Sequence, residues 1–120
     1  MLREGKGAGM EEVTYDTSAL IDLLKSKKRL AEGFTTIFNI IEFPKALSLK
    51  ELAVIYPIIE DYDEALKISA SLLSIGKPLP AVDILIAAIC IRRNLVLHTR
   101  DEHFAQIRAV RKEFKVEAAR

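Results

Sequence analysis

The sequence is poor in several features that would place it in a particular class of protein. Its 120 residues include one cysteine and no tryptophan, so an internal disulfide is excluded and the cysteine pairs of a zinc site are missing. No apolar run approaches the length needed to cross a bilayer, and no segment resembles a signal peptide. We therefore expect a cytosolic protein without a membrane segment.

Net charge is also nearly absent, because 18 basic residues face 17 acidic ones. Such a chain has little overall field with which to attract a polyanion, so a nucleic-acid partner would require a local basic patch or a bound cation. Half of the residues are hydrophobic and 29% are charged, as in an ordinary globular domain. We predict one domain over residues 10–120, preceded by a glycine-containing flexible extension over residues 1–9.

Asp16 stands where the first predicted strand gives way to a helix. Residues 12–15 have β-branched and aromatic character, and from Ala19 onward apolar residues recur at helical spacing. A carboxylate at the carboxyl end of a strand lies in the crevice where open α/β sheets place their ligands. In the alternative interpretation, Asp16, Thr17 or Ser18 only caps the helix by accepting a backbone N–H.

Two further acids follow predicted strands. Residues 34–38 read as a strand, and Glu42 falls in the first turn of the helix that follows; residues 95–99 read as another strand, directly before Asp101. Structural interpretations remain open for both acids. Asn39 and Glu42 have the spacing of a capping box, and Asp101 can be a helix N-cap.

A fourth acid, Asp83, lies in the most hydrophobic stretch of the chain. Residues 80–94 are apolar almost all round, which predicts a central buried helix that ends at Asn94. A charged carboxylate there is unfavourable unless it is paired, hydrogen-bonded or bound to a cation. We regard it as the strongest local indication of function, whereas Asp61, which follows no predicted strand end, is interpreted as a helix cap.

Alternating strands and helices predict an α/β domain of three layers, in which a parallel, twisted sheet carries helices on both faces. In this fold the acids converge at one edge of the sheet. The predicted catalytic residues are Asp16, Glu42, Asp83 and Asp101. Oxygen ligands suit Mg²⁺ or Mn²⁺, so we predict that Asp16, Asp83 and Asp101 contact the metal directly or through water and that Glu42 orients a metal-bound water. Ser18 and Thr99 are predicted to be supporting hydrogen-bond donors.

Four segments of the chain resemble, in order and separation, the acidic motifs of the PIN-domain nucleases: YDTSALIDLL, NIIEF, LPAVDILIAA and LHTRDEHF. The last two are also similar to those of the VapC toxins. The resemblance implies a Mg²⁺- or Mn²⁺-dependent endoribonuclease that forms a homodimer and is inhibited by a VapB-type antitoxin. It matches Asp16, Glu42 and Asp83 to the core acids of the family and Asp101 to the fourth.

The chain departs from the family pattern at three positions. Ser18 stands where many relatives have asparagine, and His103 stands where some have a further acid. Pro44 follows Glu42 closely and can interrupt a helix there. The placement of Glu42 is therefore the least defined of the four acids.

Basic residues near the C-terminus are candidate RNA contacts. From Arg92 onward the chain has eight basic and four acidic residues, and we predict contacts from Arg92, Arg93 and Arg100; an ordinary solvated face is the alternative.

Three other functions are compatible with the same four acids. They are a housekeeping RNA-processing nuclease, a catalytically weak interaction module, and a metal-dependent phosphatase or receiver-like domain.

Overall fold

Five parallel strands form the central sheet. The structure, a computed structural model, describes residues 12–26 and 32–118; the predicted extension over residues 1–9 lies outside them. The strands are β1 (Val13–Tyr15), β2 (Gly33–Thr36), β3 (Leu52–Ile55), β4 (Val96–Thr99) and β5 (Lys115–Ala118). Their spatial order is β3-β2-β1-β4-β5, and each neighbouring pair is parallel. The predicted parallel α/β fold is confirmed, with β1 at the centre of the sheet.

Helical segments connect the strands, as parallel pairing requires. They are α1 (Thr17–Lys25), α2 (Ile37–Glu42), α3 (Ile59–Ser74), α4 (Ala81–Arg93) and two 3₁₀ helices, Pro44–Ser48 and Glu102–Ala109. One hydrophobic core includes buried residues of α3, α4 and β4, and a second includes residues of α1 and α2. The sheet therefore lies between two helical layers. None of the helices in the described ranges is long and apolar enough to span a bilayer.

The predicted position of Glu42 in the first turn of its helix is wrong. Strand β2 ends at Thr36, and the hydroxyl of Thr36 caps α2 by accepting the Asn39 N–H at 3.3 Å. Helix α2 has six residues, and Glu42 is the last of them. Pro44 then begins the next 3₁₀ helix, because proline fits a first helical turn but cannot extend α2.

Asp61 connects the beginning of α3 to the end of α4. Its side chain is fully buried and accepts hydrogen bonds from the Ile58 N–H at 2.8 Å, from Arg92 at 2.8 Å and from Arg93 at 2.7 and 2.9 Å. Burial raises the pKa of Asp61, but the Arg93 guanidinium, the Ile58 N–H and Arg92 outweigh it and bring the pKa to about 2. Asp61 thus has a structural role, in the third position of α3 and not at its N-cap.

Replacing Asp61 by asparagine should lower the free energy of unfolding at pH 7 by about 3 kcal/mol, because two guanidinium groups lose their buried counter-charge. A carboxylate with a lowered pKa stabilises the fold above its unfolded-state pKa and loses this contribution as the pH falls towards 2. Urea unfolding at pH 7 and pH 3 should therefore show a smaller difference from the parent chain at pH 3. The exposed Asp63→Asn variant is the control, and an equal loss in both variants would contradict this role.

Candidate active site

Asp16 is held at the edge of the sheet by neutral hydrogen-bond donors. Its backbone N–H donates to the carbonyl of His98 at 3.0 Å, which fixes the end of β1 against β4. Its carboxylate accepts hydrogen bonds from Asn39 Nδ2 at 2.7 Å and from Thr99 Oγ1 at 2.8 Å. Asp16 is 9% exposed, and its side chain makes no cap hydrogen bond to α1. Asp16 occupies the N-cap position of α1, but residues of other elements hold its carboxylate, so helix capping does not account for the position of this side chain.

A second set of contacts links Asp16 to Glu42. The amide of Asn39 also lies 3.0 Å from Thr17 Oγ1, and the Thr17 hydroxyl donates to Glu42 Oε1 at 2.6 Å. Thr36 donates in turn to Asn39 Oδ1 at 2.7 Å. From the sequence alone, Asn39 and Thr17 are predicted only to be possible helix caps. The signal for Asn39 was its position directly after the predicted strand 34–38, where a polar side chain can face the same edge as Asp16; in the structure Asn39 is the third residue of α2.

Thr99 and Asp101 complete this edge from the other side of β1. Thr99 Oγ1 donates to Asp16 and accepts the Asp101 N–H at 3.0 Å. Asp101 caps the following 3₁₀ helix by accepting the His103 N–H at 2.9 Å, and its Oδ1 also lies 2.9 Å from His103 Nδ1. Asp101 therefore caps this 3₁₀ helix and is also linked to Asp16 through the Thr99 hydroxyl.

Asp83 is electrostatically coupled to the other three acids. It lies in the first turn of α4, as the sequence predicts. Burial, followed by repulsion from Asp101, Asp16 and Glu42, raises the pKa of Asp83 to about 6, while His103 opposes the rise. Burial also raises the pKa of Asp16, to which Glu42 adds repulsion. Asp101, Asp16 and Glu42 therefore all lie close enough to Asp83 to repel its carboxylate.

The other predicted polar residues have different surroundings. Ser18 accepts a hydrogen bond from the Arg100 N–H at 2.9 Å, so it supports the segment after β4 as an acceptor. The Arg100 side chain is about half exposed and lies 3.4 Å from Asp22. Arg92 and Arg93 lie at the opposite end of α4 from Asp83, about 15 Å away by helical rise, and both bind Asp61. Of the three arginines, Arg100 lies closest in the chain to an acid of the site.

The donor chemistry of the site fits a hard divalent ion that keeps several of its waters. Within residues 12–26 and 32–118, no group of three or more His, Cys, Asp or Glu side chains is arranged to hold a metal alone. Mg²⁺ typically takes one or two carboxylates and completes its octahedron with water and substrate oxygens. Each Asp16 oxygen accepts one hydrogen bond and retains further acceptor capacity. A cation would also relieve the repulsion that raises the pKa of Asp83.

Replacing Asp83 by asparagine should stabilise the fold at pH 7.5 by about 1–2 kcal/mol, because one pKa unit corresponds to about 1.4 kcal/mol and partial exposure reduces the effect. A carboxylate with a raised pKa costs stability above its folded-state pKa and costs none below its unfolded-state value. The gain should therefore disappear as the pH falls from 6 to 4. Thermal unfolding without divalent ions at several pH values measures this, with Asp63→Asn as control; a variant less stable than the parent at pH 7.5 would contradict the coupling.

Several solved structures share this fold. No curated protein matches the chain by sequence. The DNA-bound VapBC complex from Salmonella typhimurium matches with a TM-score of 0.73 and 19% identity, over 91% of this chain and 98% of that chain. VapBC-1 from nontypeable Haemophilus influenzae matches with a TM-score of 0.70 and 19% identity, over 88% and 96%. VapBC2 from Rickettsia felis, bound to a promoter DNA fragment, matches with a TM-score of 0.64 and 16% identity, over 88% and 97%.

A family model identifies the domain directly from the sequence. The model of the PIN domain matches residues 13–110, which include β1 through β4 and all four acids of the site. The resemblance of the acidic motifs is therefore confirmed over most of the chain. The chain belongs to the PIN-domain family.

Proposed function

We propose that this protein is a metal-dependent endoribonuclease of the VapC type, the toxin of a toxin–antitoxin pair that acts in the cytoplasm. The proposal rests on the position of Asp83 near Asp101, Asp16 and Glu42, because burial and then repulsion from these three acids raise the pKa of Asp83 to about 6. Acids placed only for stability are normally paired with cations, as Asp61 is with Arg92 and Arg93. In the described part of the chain, none of these four acids forms a salt bridge with Arg or Lys, although Asp101 lies 2.9 Å from His103 Nδ1, and such a cluster favours the binding of a cation.

The residues of the site have distinct roles in this reaction. Asp16, Asp83 and Asp101 would hold Mg²⁺ or Mn²⁺ directly or through water. Such an ion supplies a water of lowered pKa and positive charge for the phosphate. The Glu42 carboxylate is exposed and accepts one hydrogen bond through Oε1, so it can accept another from the attacking water and orient it. No covalent nucleophile is required.

Arg100 is the arginine that we propose as an RNA contact. It directly precedes Asp101, its side chain is about half exposed, and its interaction with Asp22 is 3.4 Å long. A guanidinium in such a weak surface pair can exchange that partner for a phosphate at low cost. Arg92 and Arg93 contact a buried carboxylate, so the proposal gives them no contact with RNA.

A cleft beside the site is suited to a VapB-type partner. Its volume is about 760 Å³, and its lining residues are Ile21, Leu24, Lys25, Phe43, Pro44, Lys45 and Ser48. Phe43 directly follows Glu42, and the exposed side chains of Ile41 and Leu47 lie on the adjoining helices. Apolar side chains with flanking lysines favour a partner segment that has apolar and acidic residues. A segment bound here would lie next to Glu42 and limit access to the acids.

A different apolar face is suited to the homodimer. Ile59, Tyr62, Leu66 and Leu73 recur on α3 and are each more than half exposed. A shallow cleft of about 350 Å³ between α3 and α4 is lined by Tyr62 and Leu66 and by apolar residues of α4. Exposed apolar stripes of this kind mark interaction surfaces. A second copy of the chain can bury the stripe by presenting the same one.

The purified chain should cleave single-stranded RNA when Mg²⁺ or Mn²⁺ is present and should lose this activity in excess EDTA. Asp16→Asn and Asp83→Asn should each reduce the cleavage rate by at least about 100-fold, because each removes charge that the bound ion requires. Electrophoresis of labelled RNA measures the rate, with Asp63→Asn as the matched control. Activity that persists in both active-site variants would refute the proposed function.

Substitutions on the two apolar faces should have separate effects. Leu66→Glu on α3 should convert the dimer to a monomer, because it buries a charge in the interface, while binding of the VapB-type partner changes little. Leu47→Glu, beside the cleft, should weaken partner binding at least about tenfold and leave the dimer intact. Sizes come from sedimentation and affinities from titration calorimetry. If both variants remain dimeric and bind the partner normally, both surface assignments are wrong.

A further inference from the structure

The hydrogen bonds around Asn39 have only one consistent direction. The Thr36 hydroxyl donates to Asn39 Oδ1 at 2.7 Å, so the amide nitrogen faces the acids. Its two hydrogens then go to Asp16 Oδ1 at 2.7 Å and to Thr17 Oγ1 at 3.0 Å. Because Thr17 Oγ1 accepts from the amide, its own hydrogen is available for Glu42 Oε1 at 2.6 Å. Each donor in this hydrogen-bond network therefore has one acceptor.

Asn39 has no freedom to adopt another arrangement. It is 0% exposed, and its oxygen and both N–H groups are used. Turning the amide over would place its oxygen against the Asp16 carboxylate, so that two acceptors face each other, and the Thr36 hydroxyl would lose the acceptor of its own hydrogen. Unsatisfied buried polar groups are costly, so the amide orientation is fixed.

Glu42, in contrast, has little else to fix its side chain. It is exposed and ends a helix of six residues, and a free glutamate side chain has several rotamers of similar energy. The described contacts of its carboxylate consist of the hydrogen bond from Thr17. The Thr17 hydroxyl therefore orients the Glu42 carboxylate, and the Asn39 amide orients the Thr17 hydroxyl.

We infer that Thr17 and Asn39 are positioning residues, which hold Glu42 and Asp16 in one fixed relation at the site. The inference rests on the proposed nuclease function, and it assigns a role to two neutral residues of the YDTSALIDLL and NIIEF segments. Thr17 lies on α1 and Glu42 on α2, 25 residues apart. These hydrogen bonds connect Asp16 and Glu42, which come from separate strand–helix units. The positioning role does not require Thr17 or Asn39 to contact RNA.

Thr17→Val tests the inference because valine has the shape of threonine without the hydroxyl. The turnover number should fall about 10- to 100-fold, the usual effect of removing a group that orients a metal ligand or its neighbour. KM for RNA should change less than about twofold, because the positioning role requires no contact between Thr17 and the substrate. Thr17→Ser, which retains the hydroxyl, should keep turnover within about threefold of the parent. A serine variant as impaired as the valine variant would overturn the inference.

A double-mutant cycle separates positioning from a general loss of structure. If Thr17 acts through Glu42, adding Thr17→Val to a Glu42→Gln variant should reduce turnover less than about twofold further. A second loss of about the same factor as in the parent chain would overturn the inference. Thermal unfolding of all four proteins confirms that the assay temperature lies below every midpoint.

A readout without catalysis distinguishes failure of the inference from failure of the proposed function. Hydrogen exchange of the Asn39 side-chain amide, measured by NMR, should be at least about tenfold faster in Thr17→Val than in the parent chain and in Thr17→Ser. Equal exchange in the three proteins would overturn the positioning role. If the parent chain cleaves no RNA but this difference is observed, the proposed function fails and the positioning role stands.

Discussion

Repulsion among carboxylates is the constraint on which the site depends. Two acids with shifted pKa values, the fully buried Asp61 and the partly buried Asp83, have opposite surroundings. Despite its burial, Asp61 has a pKa lowered to about 2 by two guanidinium groups and the Ile58 N–H, whereas burial and then repulsion from three other acids raise the pKa of Asp83 to about 6. In the first arrangement, ion pairs within the fold balance the negative charge of Asp61. The second leaves its charge unbalanced, which costs stability and provides affinity for a cation.

Neutral donors make this arrangement possible. Asn39 and Thr99 hold the Asp16 carboxylate through hydrogen bonds without adding a positive charge. An arginine in either place would fix Asp16 equally well but would lower its pKa and compete with a metal ion. The order β3-β2-β1-β4-β5 brings these donors together, because β2 and β4 lie on the two sides of β1. Asn39 follows β2, and Thr99 ends β4.

Much of this organisation can be predicted from the sequence. The alternation of strand and helix patterns gives the parallel sheet, and the positions of Asp16, Asp83 and Asp101 relative to their elements give the edge where they meet. The boundary of α2 cannot be obtained in this way. Both Thr36 and Asn39 are good N-caps, and only the pairing of β2 with β1 and β3 determines that the strand ends at Thr36. The roles of Thr17 and Asn39 depend on that boundary, and so they emerge only from the tertiary structure.

The central claim is that the four acids form one cation-binding centre. Anomalous diffraction from crystals soaked in Mn²⁺ at neutral pH tests it most directly. A manganese peak is expected within direct or water-mediated reach of the carboxylates of Asp16, Asp83 and Asp101, and no such peak in crystals of the Asp83→Asn variant. An empty site at saturating Mn²⁺, or manganese bound only elsewhere on the molecule, would contradict it.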